Sequence, residues 1–173
     1  ERVKKLAHVS PSQIKTFRRC ARRWYYEKLV GLRPPPTAAL QRGTDLHTCV
    51  EHRIMHGEYK GTDDIVAIAQ AGEAYLDNIA ANFKRGDVLI ECKVDLTEGL
   101  ALPLTGRADV VDLADHKVID HKTTSNFRWC VPPFQLRTDV QALSYVMWAK
   151  TAQQMKMPVE FQHIYYRTRG KPA

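Results

Sequence analysis

The sequence predicts an α/β protein in which a mixed β-sheet is flanked by helices. Two observations carry that expectation. Up to Gly86 the apolar residues recur at helical spacing between recognisable caps. After Gly86 three successive segments alternate with period two, and a further helical stretch and a last strand follow.

Each element has a local reason. Ser10 reads as an N-cap, Pro11 suits the first helical position, and Gln13 completes a capping box. Ile14, Phe17, Ala21 and Trp24 then recur at helical spacing and are expected to face the core. Lys15, Arg18, Arg19, Arg22 and Arg23 fall mostly on the other side, and the helix should stop near Gly31, before Pro34-Pro35-Pro36. A second helix is expected over about 41–56, ending at Gly57. A third starts from Thr62, with Asp63 and Asp64 at its positive end and Ile65, Ile68, Leu76, Ile79 and Phe83 as its buried stripe.

Strands are expected at Val88–Leu96, Leu104–Leu113 and Lys117–Lys122. Asp139–Met155 returns to helical periodicity, with Val140, Leu143 and Met147 as its core side, and Val159–Tyr166 reads as a closing strand. The 173 residues fit one domain, with a helical part at about 10–85 and a sheet-containing core at about 86–167. The abrupt end after a strand is compatible with a fragment of a longer chain.

Lys and Arg number 26 against 19 Asp and Glu, a net charge of +7, which favours a polyanionic partner through counterion release. The charged start, Glu-Arg-Val-Lys-Lys, lacks the apolar run of a secretory signal, and no stretch is long and apolar enough to span a membrane. A soluble, cytoplasmic protein is expected. Cys20, Cys49, Cys92 and Cys130 form no CxxC pair, which argues against a zinc ribbon and leaves most of them as small buried thiols.

The chemistry concentrates in Gly106–Leu113 and Lys117–Lys122. With Ala114 and Asp115 as a two-residue loop, Asp109 stands opposite Asp120 on one face, with Cβ atoms roughly 4.5–5.5 Å apart. Lys122 shares that face by strand alternation. A four-residue loop keeps both carboxylates on one face, offset diagonally; a three-residue loop separates them. Adjacent carboxylates repel unless a cation lies between them, and oxygen ligands suit Mg²⁺ or Mn²⁺. Cation, carboxylates and ammonium together have the parts for phosphodiester hydrolysis.

The run GRADVV…VIDHKTTS resembles two motifs of the PD-(D/E)xK nucleases, in their RecB-like exonuclease branch. Upstream, Arg42-Gly43-Thr44-Asp45-Leu46-His47 is similar to that branch's G-T-x-x-H segment; downstream, Gln141-Ala142-Leu143-Ser144-Tyr145 matches its Q-x-x-x-Y motif. The opening SPSQIKTFRRCARRWYYEKLVGL resembles its N-terminal helix, so the likeness runs from Ser10 to about Tyr166.

The resemblance implies a restriction-endonuclease-like core and hydrolysis of DNA to 5′-phosphate and 3′-hydroxyl ends with one or two Mg²⁺ or Mn²⁺ ions. His47, Asp109 and Asp120, with the His121 carbonyl, become the expected metal ligands, and Lys122 orients the attacking water. Gln141 and Tyr145, with Arg19 and Arg23, are expected to contact DNA; Glu51 and Glu91 are candidates to support the ligands. Relatives include helicase–nuclease subunits and CRISPR-associated exonucleases, so a larger recombination or repair assembly is an expected setting. Some of these hold an iron–sulfur cluster; Cys20 matches the first ligand position, but the later cysteines lack the spacing, and no cluster is expected. Two alternatives stand beside the exonuclease: a structure-specific or restriction-type endonuclease, and a DNA-binding clamp without catalysis.

Overall fold

The computed structural model describes residues 5–169, so the first four residues of the charged start lie outside the described part. Helix α1 spans Pro11–Arg19, with Ser10 Oγ accepting from the Gln13 N–H at 3.3 Å. The reciprocal half of the capping box is not made, because the Gln13 side chain is buried and its Oε1 has no partner. Cys20, in extended conformation, interrupts the helix and its Sγ accepts from the Arg23 N–H to start α2 (Ala21–Trp24). A π-helical stretch, Tyr25–Val30, leads to Gly31.

This interruption changes what the expected apolar stripe does. Phe17 is 51% exposed and Ala21 is exposed, while Phe17 and Trp24 pack edge-on at the surface with centroids 5.3 Å apart. Pro11 and Gln13 are the buried residues of α1 instead.

Helix α3 covers Ala38–His56, starting at the Thr37 cap and ending at Gly57. The third expected helix is two: α4 (Asp63–Gln70) and α5 (Glu73–Arg85), separated at Ala71-Gly72. A Cβ on Gly72 would stand 3.1 Å from the Tyr166 ring, so the break lets the chain pass close beneath that tyrosine.

Strands β1 (Val88–Leu96), β2 (Leu104–Asp112) and β3 (Lys117–Thr124) form an antiparallel meander, and β4 (Glu160–Arg167) lies parallel to β3. Between β3 and β4 the chain passes through a short 3₁₀ turn, Phe127–Trp129, then α6 (Pro133–Leu136) and α7 (Val140–Thr151). A parallel neighbour requires such a crossover, and α7 supplies it.

Helices cover both faces of the sheet. On one face Leu46, Val50 and Ile54 of α3 join Leu76 and Ile79 of α5 against Val110, Ile119 and Tyr166. On the other, Tyr145, Trp148 and Ala149 of α7 pack on Val94, Ala108, Val111 and Val118. The buried side of α7 therefore differs from the expected one: Leu143 is 53% and Met147 59% exposed. The covered positions of α7 are Ala142, Ser144, Tyr145, Trp148 and Ala149, and the two aromatic rings bury more apolar area than Leu143 and Met147 offer.

Only Cys49 of the four thiols is buried. Cys92 and Cys130 are partly covered and Cys20 is exposed, which corrects the expectation of mostly buried cysteines. Among the described residues no helix is long and apolar enough to cross a membrane.

Candidate metal and active site

The site is built where β2 and β3 part. Their pairing follows the register of a two-residue connection, but the ladder holds only for Val110↔Ile119, Val111↔Val118 and Asp112↔Lys117. The pair next in line, Asp109 and Asp120, is not formed. Val9 takes the place beside Leu104 that β3 vacates, accepting from the Thr105 N–H at 2.8 Å and donating to Pro103 at 2.9 Å.

Backbone groups left without a strand partner must be satisfied otherwise. The His121 N–H donates to Asp109 Oδ2 at 2.6 Å. The Arg107 N–H donates to the Tyr145 hydroxyl at 3.1 Å, and that hydroxyl donates to the Arg107 carbonyl at 2.9 Å. A Cβ on Gly106 would fall 2.6 Å from the Tyr145 oxygen, so glycine is what admits the ring.

Parting the strands also separates the two aspartates. Asp109 belongs to the α3 side, with Oδ2 3.3 Å from His47 Nδ1. Asp120 belongs to the α7 side: Gln141 Nε2 donates to its Oδ1 at 2.6 Å, and its Oδ2 meets the Lys122 ammonium and lies 3.6 Å from His163 Nε2. Oδ2 is buried and accepts no hydrogen bond of regular geometry.

One imidazole nitrogen and two carboxylate oxygens, from His47, Glu91 and Asp109, lie within 4.8 Å of one another. Glu91, expected as a supporting acid, thus stands in the cluster, whereas Asp120 lies outside it. Glu91 has φ 51°, a left-handed conformation in the middle of β1 at the level of Asp109, where the β1–β2 pairing skips. Bulky residues rarely adopt it, and such outliers gather at functional sites. Arg107 reaches Glu91 at 3.4 Å.

These groups line an open cleft of about 490 Å³ with Gly43, Thr44 and Glu51 of α3 and Thr123 of β3. Glu51 lies on its wall, one turn after His47.

The electrostatics follow from burial and charge. Burial pushes the Asp109 carboxyl up, but the hydrogen bond and charge of His47, with the His121 N–H, outweigh this and hold it below the usual carboxylate range. Burial raises Asp120, and the nearby Asp109 adds to that against the opposing Lys122 and His163. His47 is disfavoured as a cation by burial, yet Asp109 and Asp120 raise it. Burial lowers His121 to about 4, so its imidazole is neutral; the ring stacks edge-on against Tyr75 and Tyr166. Its expected role rests on the carbonyl alone.

The donor set fits a divalent cation. Nitrogen and carboxylate donors from His47, Glu91 and Asp109 gather within 4.8 Å of one another, and a cation among them would offset the repulsion between the Glu91 and Asp109 carboxylates.

Two expected DNA contacts are placed differently. Tyr145 is buried at 4% exposure and bound to the β2 backbone, and Gln141 is bound to Asp120. Arg19 is exposed on the N-terminal helices; Arg23 is exposed and its Nε donates to Glu27 at 2.6 Å. Sequence reasoning missed His163. Its parallel register with Asp120 follows once β4 is paired with β3, and the alternation of Phe161, His163 and Tyr165 is the signal that points to it.

A mixed sheet between helical layers, opened beside an acidic cluster and a lysine, defines a restriction-endonuclease-like α/β protein with a candidate metal centre. The model of the PD-(D/E)XK nuclease superfamily matches residues 8–82 and 60–173, and the chain belongs to that superfamily of metal-dependent nucleases. No curated protein matches the chain.

Proposed function

We propose that this chain is a DNA exonuclease of the RecB-like branch, hydrolysing phosphodiester bonds with Mg²⁺ or Mn²⁺ to leave 5′-phosphate and 3′-hydroxyl ends. The observation that carries the reading is the cluster of His47, Glu91 and Asp109 beside the Asp120–Lys122 pair at the parted strands. The imidazole donor favours Mn²⁺ relative to Mg²⁺.

His47, Glu91 and Asp109 would hold the cation, with Asp120 facing it from β3. A divalent cation supplies Lewis-acid polarisation of the phosphate and acidifies an attacking water. Lys122, half-exposed beside Asp120, offsets charge that develops on the phosphate oxygens. Gln141 fixes the rotamer of Asp120 through its 2.6 Å hydrogen bond. The new bond forms between water oxygen and phosphorus, the bond to the 3′ oxygen breaks, and the proton that the water gives up to solvent is balanced by one that the leaving 3′ oxygen takes from solvent. The exposed Arg18, Arg19 and Arg22 of α1 and α2 offer positive charge to a DNA backbone. The setting this implies is DNA processing in recombination or repair.

The test is digestion of end-labelled linear and closed-circular DNA with Mg²⁺, Mn²⁺ or EDTA, beside Asp120→Ala and Lys122→Ala. Metal-dependent loss of linear DNA alone, absent in both variants, is the expected result. Cutting of the circle assigns an endonuclease, and DNA binding without cutting under any metal assigns a clamp.

A further inference from the structure

We propose that residues 125–137, which follow β3, form a base-stacking platform that receives a single-stranded DNA end beside the active site. The inference rests on the nuclease reading above and names its substrate form. Phe127, Trp129 and Phe134 are 45%, 66% and 68% exposed within eight residues. Large aromatic side chains gathered at the surface of one segment mark an interaction site more often than a solvated loop.

The segment is held in place. Thr124 Oγ1 donates to the Asn126 carbonyl at 2.8 Å, and Asn126 Oδ1 accepts from the Arg128 N–H at 3.0 Å. The Val131 N–H donates to the Tyr165 hydroxyl at 2.9 Å, before Pro132 and Pro133. The rings are therefore presented by an anchored backbone, which lowers the ordering cost of binding.

Its placement points to the substrate. One end continues from the strand carrying Asp120 and Lys122, and the other enters α7 just before Gln141. Both ends thus arise from the candidate site.

Its chemistry selects the occupant. From Ser125 to Thr138 there is no Asp or Glu, while Arg128 and Arg137 are exposed. The Arg128 guanidinium lies 4.7 Å from the centre of the Trp129 ring. Aromatic faces with arginines and no acid suit bases on a polyanionic strand. Inside a duplex those base faces are already stacked on one another, so the complementary ligand is a single strand.

The test measures fluorescein-labelled (dT)₂₀ and a blunt hairpin duplex by anisotropy in EDTA, with the full chain and Trp129→Ala, Phe134→Ala and Trp129→Phe. Circular dichroism of each variant reports its fold. Mn²⁺-dependent hydrolysis of bis(p-nitrophenyl) phosphate by the unaltered chain reports the active site separately. The expected result is an affinity for (dT)₂₀ about 5–150-fold weaker in Trp129→Ala, the span of stacking on one base, with recovery in Trp129→Phe and little change for the duplex. Equal (dT)₂₀ affinity in folded Trp129→Ala and Phe134→Ala overturns the platform and leaves the nuclease reading untouched. Trp129-dependent (dT)₂₀ binding without phosphodiester hydrolysis supports the platform and overturns the nuclease. A change in sedimentation on Trp129→Ala at unchanged (dT)₂₀ affinity assigns the patch to a protein partner and overturns the proposal.

Discussion

Gln141 Nε2 donates to Asp120 Oδ1 at 2.6 Å, so the first turn of α7 holds the carboxylate of the lysine-bearing strand. Groups that orient a ligand from behind change affinity or activity by about 10–100-fold when removed. Gln141→Leu should lower cleavage and Mn²⁺ affinity by about that factor, and should also lower the melting temperature, because the buried Asp120 carboxylate loses the donor to its Oδ1. Calorimetric titration with Mn²⁺ is the check. Unchanged affinity would return Gln141 to the role of a DNA contact.

Glu91 trades backbone conformation for position. Glu91→Gly relieves the left-handed residue at φ 51° but removes a donor from the cluster. The variant should melt no lower than the parent, while its Mn²⁺ affinity falls at least as far as in Glu91→Gln. Glu91→Val, with a β-branched side chain at positive φ, should lose both metal binding and stability.

Tyr145 and Gly106 form a locked pair. Tyr145→Phe removes the hydroxyl that both accepts from and donates to the Arg107 backbone, at a cost of about 1 kcal/mol. Gly106→Ala drives a methyl into the ring and should cost about 1–3 kcal/mol. Urea denaturation measures both. In the double variant Gly106→Ala/Tyr145→Ala the glycine substitution should no longer add its penalty, because the clash is gone; simple additivity would sink the pairing.

Glu73 gives a pH dependence remote from the site. Its hydrogen bonds to Tyr59, and to Arg53 at 2.7 Å, hold the carboxyl below its ordinary range. A depressed folded value contributes stability that is present above the unfolded value and is lost as pH falls through the folded one. Thermal melts from about pH 6 down to about pH 3 should show a steeper decline in the parent than in Glu73→Gln, and the gap should shrink with salt because the group is partly exposed. Parallel declines would remove Glu73 from the acid response.

Much of the fold was legible locally. β1 begins and ends where period-two alternation places it, and α3 stops at Gly57. The β2–β3 register is the one a two-residue connection implies. Errors arose where a neighbour competed with periodicity. Phe17 and Met147 carry a helical apolar repeat yet lie exposed, because the break at Cys20 and the Tyr145–Trp148 pair decide which side of each helix is covered. Of the site, sequence order brought forward His47, Asp109, Asp120, Lys122 and Gln141. It gave Glu91 a lesser part and passed over His163, whose relation to Asp120 arises from a parallel pairing across a crossover helix.

The sequence by itself determined the strands, most of the helical stretches and the supply of acids, histidine and lysine, since caps, turns and alternation act over a few residues. It offered the two-residue hairpin register among its alternatives. Tertiary structure decided where the hairpin stops being a hairpin. Val9 occupies the vacated edge of β2, Tyr145 satisfies Arg107, and Asp109 satisfies the His121 N–H. Each is a long-range contact that replaces a missing ladder hydrogen bond, so strand alternation could place Asp109 opposite Asp120 but could not foresee the parting that ties one to α3 and the other to α7.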